Sequence, residues 1–481
     1  MLKTQQGRIV NCLGCSPPLL WAQIADRSAF DCKIKSFPAQ YSPALHLKRE
    51  RDVHLNSTRP LNARRACFWM VVVALCVRLA VMAFVYPEWL NPARDHWRFA
   101  GEAGRIARSL AEGQGFGNPF FADTGPTAWL APVFPSLLAD DFKVFGVYTK
   151  AAALAVISLD CLLAALTCIP VFLIARRIFG QSAALWAGWI WAFFPYSINF
   201  ATGFIWDTTL STLWMALLFL IVLKLKEARG WWPWFGFGAF AGFAALTNPV
   251  LLAPMPFLTL WLLYRLRKRS ERWFAPGLAA LLGVLIVVSP WFVRNYRTFH
   301  KFIPIRGGFG FELYCGNNAD SWHWDPPGYH PSDSATDWSE YQQLGEVNYF
   351  ALKQREATAF IGAHKKLYIV QSLRRIVYIW TGFWSFSSRY LREEPFDPEN
   401  IVFCTALTIL AFLGLRRAWH EGGASRAIPF IIVFFFFPLV YYVTHPEDYY
   451  RRPIDPLMVA LAAGAIASWK RSPRNLVERG V

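Results

Sequence analysis

From Cys67 onward the chain alternates apolar stretches of roughly 16–22 residues with short basic segments. A helix rises ~1.5 Å per residue, so about 20 mostly apolar residues cross a bilayer core. Hydrocarbon offers no water to the backbone, so each stretch must be a helix and not a strand. The pattern predicts an all-α, polytopic integral membrane protein. Spans fall near residues 67–86, 151–175, 183–201, 208–223, 233–247, 250–264, 274–293, 400–415, 427–443 and 456–469, about ten transmembrane helices. The run 130–146, with its prolines and with Asp140, Asp141 and Lys143, suits an interfacial helix better than a span.

Charge changes this picture through its placement. The formal charge is +17, a value that by itself suits a nucleic-acid binder. Yet Arg64 and Arg65, Arg176 and Arg177, Lys224, Lys226 and Arg229, Arg265 to Arg269, Arg416 and Arg417, and Lys470 and Arg471 punctuate alternate ends of the spans. That is the bias of cytoplasmic loops, and it puts both termini inside. No Lys/Arg stripe interleaved with aromatics lies on a water-soluble stretch, so nucleic acid is excluded as a partner. Residues 1–66 lack periodicity and read as a disordered cytoplasmic tail; 67–470 form the membrane domain, with outer loops at 87–148 and 295–397; 471–481 form a second tail. Cys12 and Cys15 have no second pair, and Cys315 stands alone in the large outer loop, so no disulfide framework is expected there.

Several charges sit where this orientation disfavours them. Arg451 and Arg452 lie in the outer run His445-Pro446-Glu447-Asp448-Tyr449-Tyr450-Arg451-Arg452-Pro453, and Arg294 follows the seventh span. A guanidinium fork matches phosphate, so a lipid-phosphate is one partner for them; Glu447, Asp448 or lipid headgroups are the other. In the first outer loop, Phe99, Ala103, Ile106 and Leu110 recur at helical spacing and predict a short amphipathic helix on the outer membrane surface. If it begins by Asp95, then Asp95 and Glu102 share a face about 10 Å apart. Otherwise Asp95 is an N-cap and Glu102 pairs with Arg98 or Arg105. Asp207, in the tight turn before the fourth span, either caps that helix or holds a metal or substrate. Arg78 and Asp160, at similar depths within spans, are expected to pair.

At these positions the chain resembles bacterial relatives of dolichyl-phosphate-mannose–protein mannosyltransferases and lipid A aminoarabinose transferases, within the C-type superfamily of membrane glycosyltransferases. The likeness rests on Gly101-Glu102 through Ile106-Ala107-Arg108-Ser109-Leu110-Ala111, on Thr124-Gly125-Pro126-Thr127-Ala128-Trp129-Leu130-Ala131-Pro132, on Pro290-Trp291 with Arg294-Asn295-Tyr296, on Gly316-Asn317-Asn318, and on Arg452-Pro453 with Pro456. It implies a hexosyl- or pentosyltransferase of the bacterial inner membrane with its site facing the periplasm. The donor would be a polyprenyl-phosphate-linked sugar and the acceptor a hydroxyl on a protein, lipid or glycan. The family's first outer loop carries a catalytic acid, often beside a second one. This chain has no adjacent acid pair there, which leaves Asp95 or Glu102, with Asp123 behind them, as general base. The leaving phosphate would meet Arg452, Arg451 and Arg294, with Asp207 and Asn317 as further substrate contacts; a divalent metal is an open possibility, with no ligands assigned.

The rival reading is a lipid or solute flippase without transferase activity. It predicts paired repeats and broken helices around midplane polar sites. Here polar residues concentrate in outer loops, and no matching halves are found.

Overall fold

The computed structural model describes residues 60–85, 99–319, 330–388, 390–393 and 397–469. Among these every regular element is helical. In chain order they are α1 (Pro60–Phe84), α2 (Gly101–Ala111), α3 (Val133–Phe145), α4 (Lys150–Leu166), α5 (Cys168–Phe179), α6 (Gln181–Ala192), α7 (Pro195–Gly203), α8 (Thr208–Leu225), α9 (Trp232–Thr247), α10 (Met255–Lys268) and α11 (Phe274–Phe299). There follow α12 (Phe309–Gly316), α13 (Ala335–Leu344), α14 (Glu346–Ala363), α15 (Lys365–Thr381), α16 (Tyr390–Glu393), α17 (Asp397–Gly422), α18 (Ala424–Phe436), α19 (Leu439–Val443) and α20 (Asp455–Trp469).

Seven helical stretches among the described residues are long and apolar enough to cross a membrane: Ala63–Phe84, Lys150–Phe179, Thr208–Leu225, Pro249–Lys268, Phe274–Phe299, Asn400–Gly422 and Ala424–Val443. The other three expected spans are helical but short or broken. The stretch 183–201 splits at Phe193 and Phe194, because Pro195 starts a new helix where its missing N–H costs nothing. Helices α9 and α20 have 16 and 15 residues. Helix α20 is apolar on every side and accordingly enclosed: Leu457 to Ala463 are all at most 2% exposed. The outermost helices instead turn apolar side chains outward, among them Leu281, Leu285 and Ile286 of α11 and Val402, Ile409 and Phe412 of α17. Such faces belong against lipid.

Two expectations for the first outer loop are corrected. Helix α2 does not turn its apolar side to lipid; residues 101–107 and Ser109 are buried within the protein. Its alanines pack with Phe99 against Phe134, Leu138 and Phe142 of α3. Nor does it reach back toward Asp95. Phe99 and Ala100 both adopt φ 65°, a left-handed conformation that stops helix propagation, so α2 starts at Gly101. Asp95 itself, with the rest of 86–98, lies outside the described residues, as does the N-terminal tail through residue 59. Helix α3 is the short element expected over 130–146, packed on α2 rather than crossing.

The expected Arg78–Asp160 pair is also absent. Arg78 gives its hydrogens to the carbonyls of Ala74, Ala192 and Trp191 and to Ser197 Oγ. One Asp160 carboxyl oxygen has no hydrogen-bond partner among the described residues.

Helices α9 and α11 approach through glycines. A Cβ on Gly238 would stand 1.9 Å from the Ala280 carbonyl oxygen, and one on Gly283 2.4 Å from that of Phe235. Gly236 on the same helix faces open space. Gly238→Val or Gly283→Val should therefore cost ~1–3 kcal/mol by forcing the pair apart. It would register as a lower unfolding midpoint in detergent, whereas Gly236→Ala should leave the midpoint unchanged or slightly higher.

Candidate functional site

Polar side chains gather at one end of the helix layer in two clusters. The first is built on α2. Glu102 is 6% exposed and its Oε1 lies 2.7 Å from Nε2 of His330, which arrives from the segment before α13. Burial alone would push the Glu102 pKa up. His330 outweighs it, with Arg105 assisting, and holds the carboxyl below its ordinary range. Burial likewise disfavours charged His330, but the Glu102 carboxylate wins and raises its pKa. Each partner thus shifts the other toward its charged form. Around it stand Phe120, Trp129 and Phe311, whose ring centroids lie 5.5–5.8 Å from that of His330.

The second cluster lies at the N-terminal end of α8. Asp207 occupies the N-cap position, yet its side chain caps nothing. Oδ2 instead accepts from Asn248 Nδ2 at 3.0 Å and Ser211 Oγ at 3.3 Å. Burial pushes its pKa up to about 6, against the pull of Asn248, Arg306 and Ser211. Arg306 is ion-paired with Glu312 of α12. The Glu312 carbonyl lies 3.3 Å from His445 Nδ1, and His445 Nε2 accepts from Tyr450 O–H at 3.1 Å. Burial, foremost, keeps His445 below its usual range, which suits a neutral ring bonded in this way.

Helix α12 joins the clusters. Phe311 faces His330, and Glu312, the next residue, engages Arg306 and His445. The acidic helix after the opening span and the loop before the last helix therefore stand on the same side of the layer.

The remaining expected contacts fare unevenly. Arg451 and Arg452 are not at the surface; they are 2% and 4% exposed, and both pair with Asp455 at the head of α20. Arg452 also lies over the Tyr196 ring, at 3.4 Å. Among the described residues each still keeps one nitrogen without a hydrogen-bond partner, Nη2 of Arg451 and Nε of Arg452. Arg294 is within α11, not beyond it, and donates to the carbonyls of Thr127 and Phe116. Asn317 donates to the carbonyls of Leu313 and Val443 and accepts from Arg375. Both therefore brace loops, since buried carbonyls need donors. Asp123 is exposed.

Sequence reasoning missed His330, Arg306, Glu312 and Asn248. Arg306 and Glu312 carry a signal in retrospect, a cation and an acid six positions apart in an outer loop. His330 carries none. Among the described residues no three His, Cys, Asp or Glu side chains come together as metal ligands. Glu102 and His330 supply two donors, short of the set that closes a metal site.

The fold and this polar crown define a polytopic helical membrane protein with a built site at one face. Residues 130–293, about a third of the chain, match the family model described as dolichyl-phosphate-mannose-protein mannosyltransferase, and the chain resembles that family. The matched segment contains Asp207 but neither Glu102 nor Arg452. Among solved structures, the oligosaccharyltransferase AglB of Archaeoglobus fulgidus, in complex with an inhibitory peptide and a dolichol-phosphate, aligns at 12% identity and a TM-score of 0.48 over 86% of this chain and 52% of its own. The same protein with Zn and sulfate aligns at 13%, TM-score 0.43, over 85% and 50%. ArnT from Cupriavidus metallidurans, bound to undecaprenyl phosphate, aligns at 15%, TM-score 0.36, over 83% and 78%. The chain spans about half the length of the archaeal structures it matches. No curated protein matches it.

Asp207 fixes a pH dependence. Its folded pKa is above the usual carboxylate value, so the folded state binds the extra proton and stability falls as pH rises toward about 6. Asp207→Asn should flatten this slope and be at least as stable as wild type at pH 7.5, read as unfolding midpoint against pH. A wild-type midpoint that rises between pH 4 and 6 more steeply than the variant's would refute this environment for Asp207.

Proposed function

We propose that the protein is a glycosyltransferase that moves a hexosyl or pentosyl group from a polyprenyl-phosphate-linked donor to a hydroxyl on a protein, lipid or glycan. Its site would face the periplasm from the bacterial inner membrane. The family match over residues 130–293 supports the reaction class. The observation that carries the site is Glu102, a buried carboxylate kept ionised by His330 among aromatic rings, on the same side as the two arginines with unfilled donors.

In this reading Glu102 takes the proton of the acceptor hydroxyl as general base. The acceptor oxygen forms a bond to the anomeric carbon from the side opposite the phosphate, and the configuration inverts. The anomeric C–O bond breaks and its electron pair leaves on the polyprenyl phosphate. Arg452, through its unpartnered Nε–H, and Arg451 would meet that charge. His330 positions the carboxylate and keeps it charged. Asp95 is the alternative base. Phe120, Trp129 and Phe311 are buried behind His330 and hold its ring against Glu102.

Reconstitution in proteoliposomes with a polyprenyl-phosphate-linked sugar tests this. Glu102→Gln should lower transfer by roughly 10²–10⁴-fold, with protein level and donor binding retained. Full transfer by Glu102→Gln together with loss in Asp95→Asn moves the base to Asp95. Movement of lipid across the bilayer without any transfer defeats the enzyme reading.

A further inference from the structure

The face opposite the candidate site carries a second built feature. Helix α8 runs 18 residues from Asp207's neighbour Thr208 to Leu225, about 27 Å, so Lys226 emerges at the far side of the layer. There Lys226 Nζ donates to the Ser425 carbonyl at 2.8 Å, and Arg265 Nη1 donates to Ser425 Oγ at 2.6 Å. Both cations also sit over one indole: Lys226 Nζ is 5.0 Å and Arg265 Cζ 5.1 Å from the centroid of the Trp261 ring. Three helix ends, of α8, α10 and α18, thus hold an ammonium and a guanidinium side by side, both half-buried. Among the described residues neither has a carboxylate in ion-pair contact. Glu227, the acid nearest in sequence, is taken by Arg177.

Retention of cytoplasmic loops explains exposed lysines and arginines. It does not explain two cations brought together on one serine and one tryptophan. Like charges repel, and Trp261 attracts each without neutralising either. The strain registers on Lys226, whose pKa is pushed down to about 8 by burial and then by Arg265, Arg177 and Arg269, with Glu227 opposing. An anion seated between the two would remove that repulsion. The adjoining surface indicates its kind. Phe257, Leu260 and Tyr264 are exposed along one side of α10, leading up to Arg265. An apolar track ending in paired cations fits an acyl chain ending in a phosphate.

We propose that Lys226 and Arg265 form a binding site for the phosphate of an anionic membrane phospholipid, with Trp261 and Ser425 fixing the two cations and the exposed side of α10 receiving an acyl chain. This site is separate from the transfer site and does not depend on its chemistry.

Native mass spectrometry of the full chain, released from nanodiscs of phosphatidylglycerol mixed with phosphatidylcholine, tests it. Wild type should retain phosphatidylglycerol selectively, and Lys226→Gln/Arg265→Gln should reduce that retention at least tenfold. Arg267→Gln/Lys268→Gln, on the same rim, should not. Equal retention of the two lipids by wild type overturns the proposal without any variant, so a misfolded double mutant would not shield it. Undiminished retention in the double mutant overturns it as well. Displacement of the lipid by millimolar inorganic phosphate alone overturns the assignment to a lipid.

Discussion

A backbone carbonyl left without a donor inside a bilayer costs several kcal/mol, roughly the stability margin of a domain. This chain nonetheless interrupts its helices within the layer, and the repair of those breaks arranges everything near the site. Where α6 ends, Arg78 from α1 takes the carbonyls of Trp191 and Ala192. Trp191 in turn donates its indole N–H to the Ala164 carbonyl on α4. Thr167 returns its hydroxyl to the Leu163 carbonyl where α4 passes into α5. With these debts met, α7 sets off at a new angle. It carries Tyr196 beneath the Arg452 guanidinium and Phe200 to within 6.2 Å of the Tyr449 ring.

The same constraint explains the two arginines at the end of the chain. Two adjacent guanidinium groups buried at a helix head need an acid, and Asp455, itself fully buried, serves both. Because Asp455 is the first residue of α20, its carboxylate also suits that helix's positive N-terminal end, which the two guanidinium groups by themselves would oppose. Helix α20 is short and rich in alanine, so its neighbours come close: a Cβ on Gly414 of α17 would meet the Leu461 carbonyl at 2.0 Å. The pairing of charge at the rim and the tight packing below it are one device.

This explains what could be read from sequence. The hydrocarbon enforces length and apolarity, so most spans were legible, whereas the break at Pro195 inside the expected span 183–201 was not. Glu102 was legible as an acid at helical spacing, and Asp207 as an acid pinned in a turn. Their partners were not. His330, Asn248 and Arg306 come from distant segments, and no periodicity relates them to α2 or α8. The Arg78–Asp160 expectation failed for a related reason. It counted side chains of opposite sign and overlooked carbonyls freed by a helix break, which outbid a carboxylate because they are obligatory. Likewise the surface helix expected from Arg98 to Glu112 had the right period but the wrong environment, since a moment reports which side is apolar and not whether lipid or protein covers it.

Glu102 and Asp207 are pushed in opposite directions, and under the proposed reaction that divergence has consequences. Glu102 is held low by the adjacent His330, so it remains ionised at physiological pH but has little appetite for a proton. Asp207, with a pKa raised to about 6, holds a proton more readily while still ionised near neutrality. A base works best when its pKa lies near the working pH. Glu102 can approach that condition only if His330 loses its proton or swings aside as substrate arrives, since the same contact that keeps the carboxylate charged also weakens it. His330 is carried on the segment before α13, where its position depends on Phe120, Trp129 and Phe311. Those rings are buried, so a substrate that parts His330 from Glu102 would have to act on the histidine itself, the more exposed member of the group.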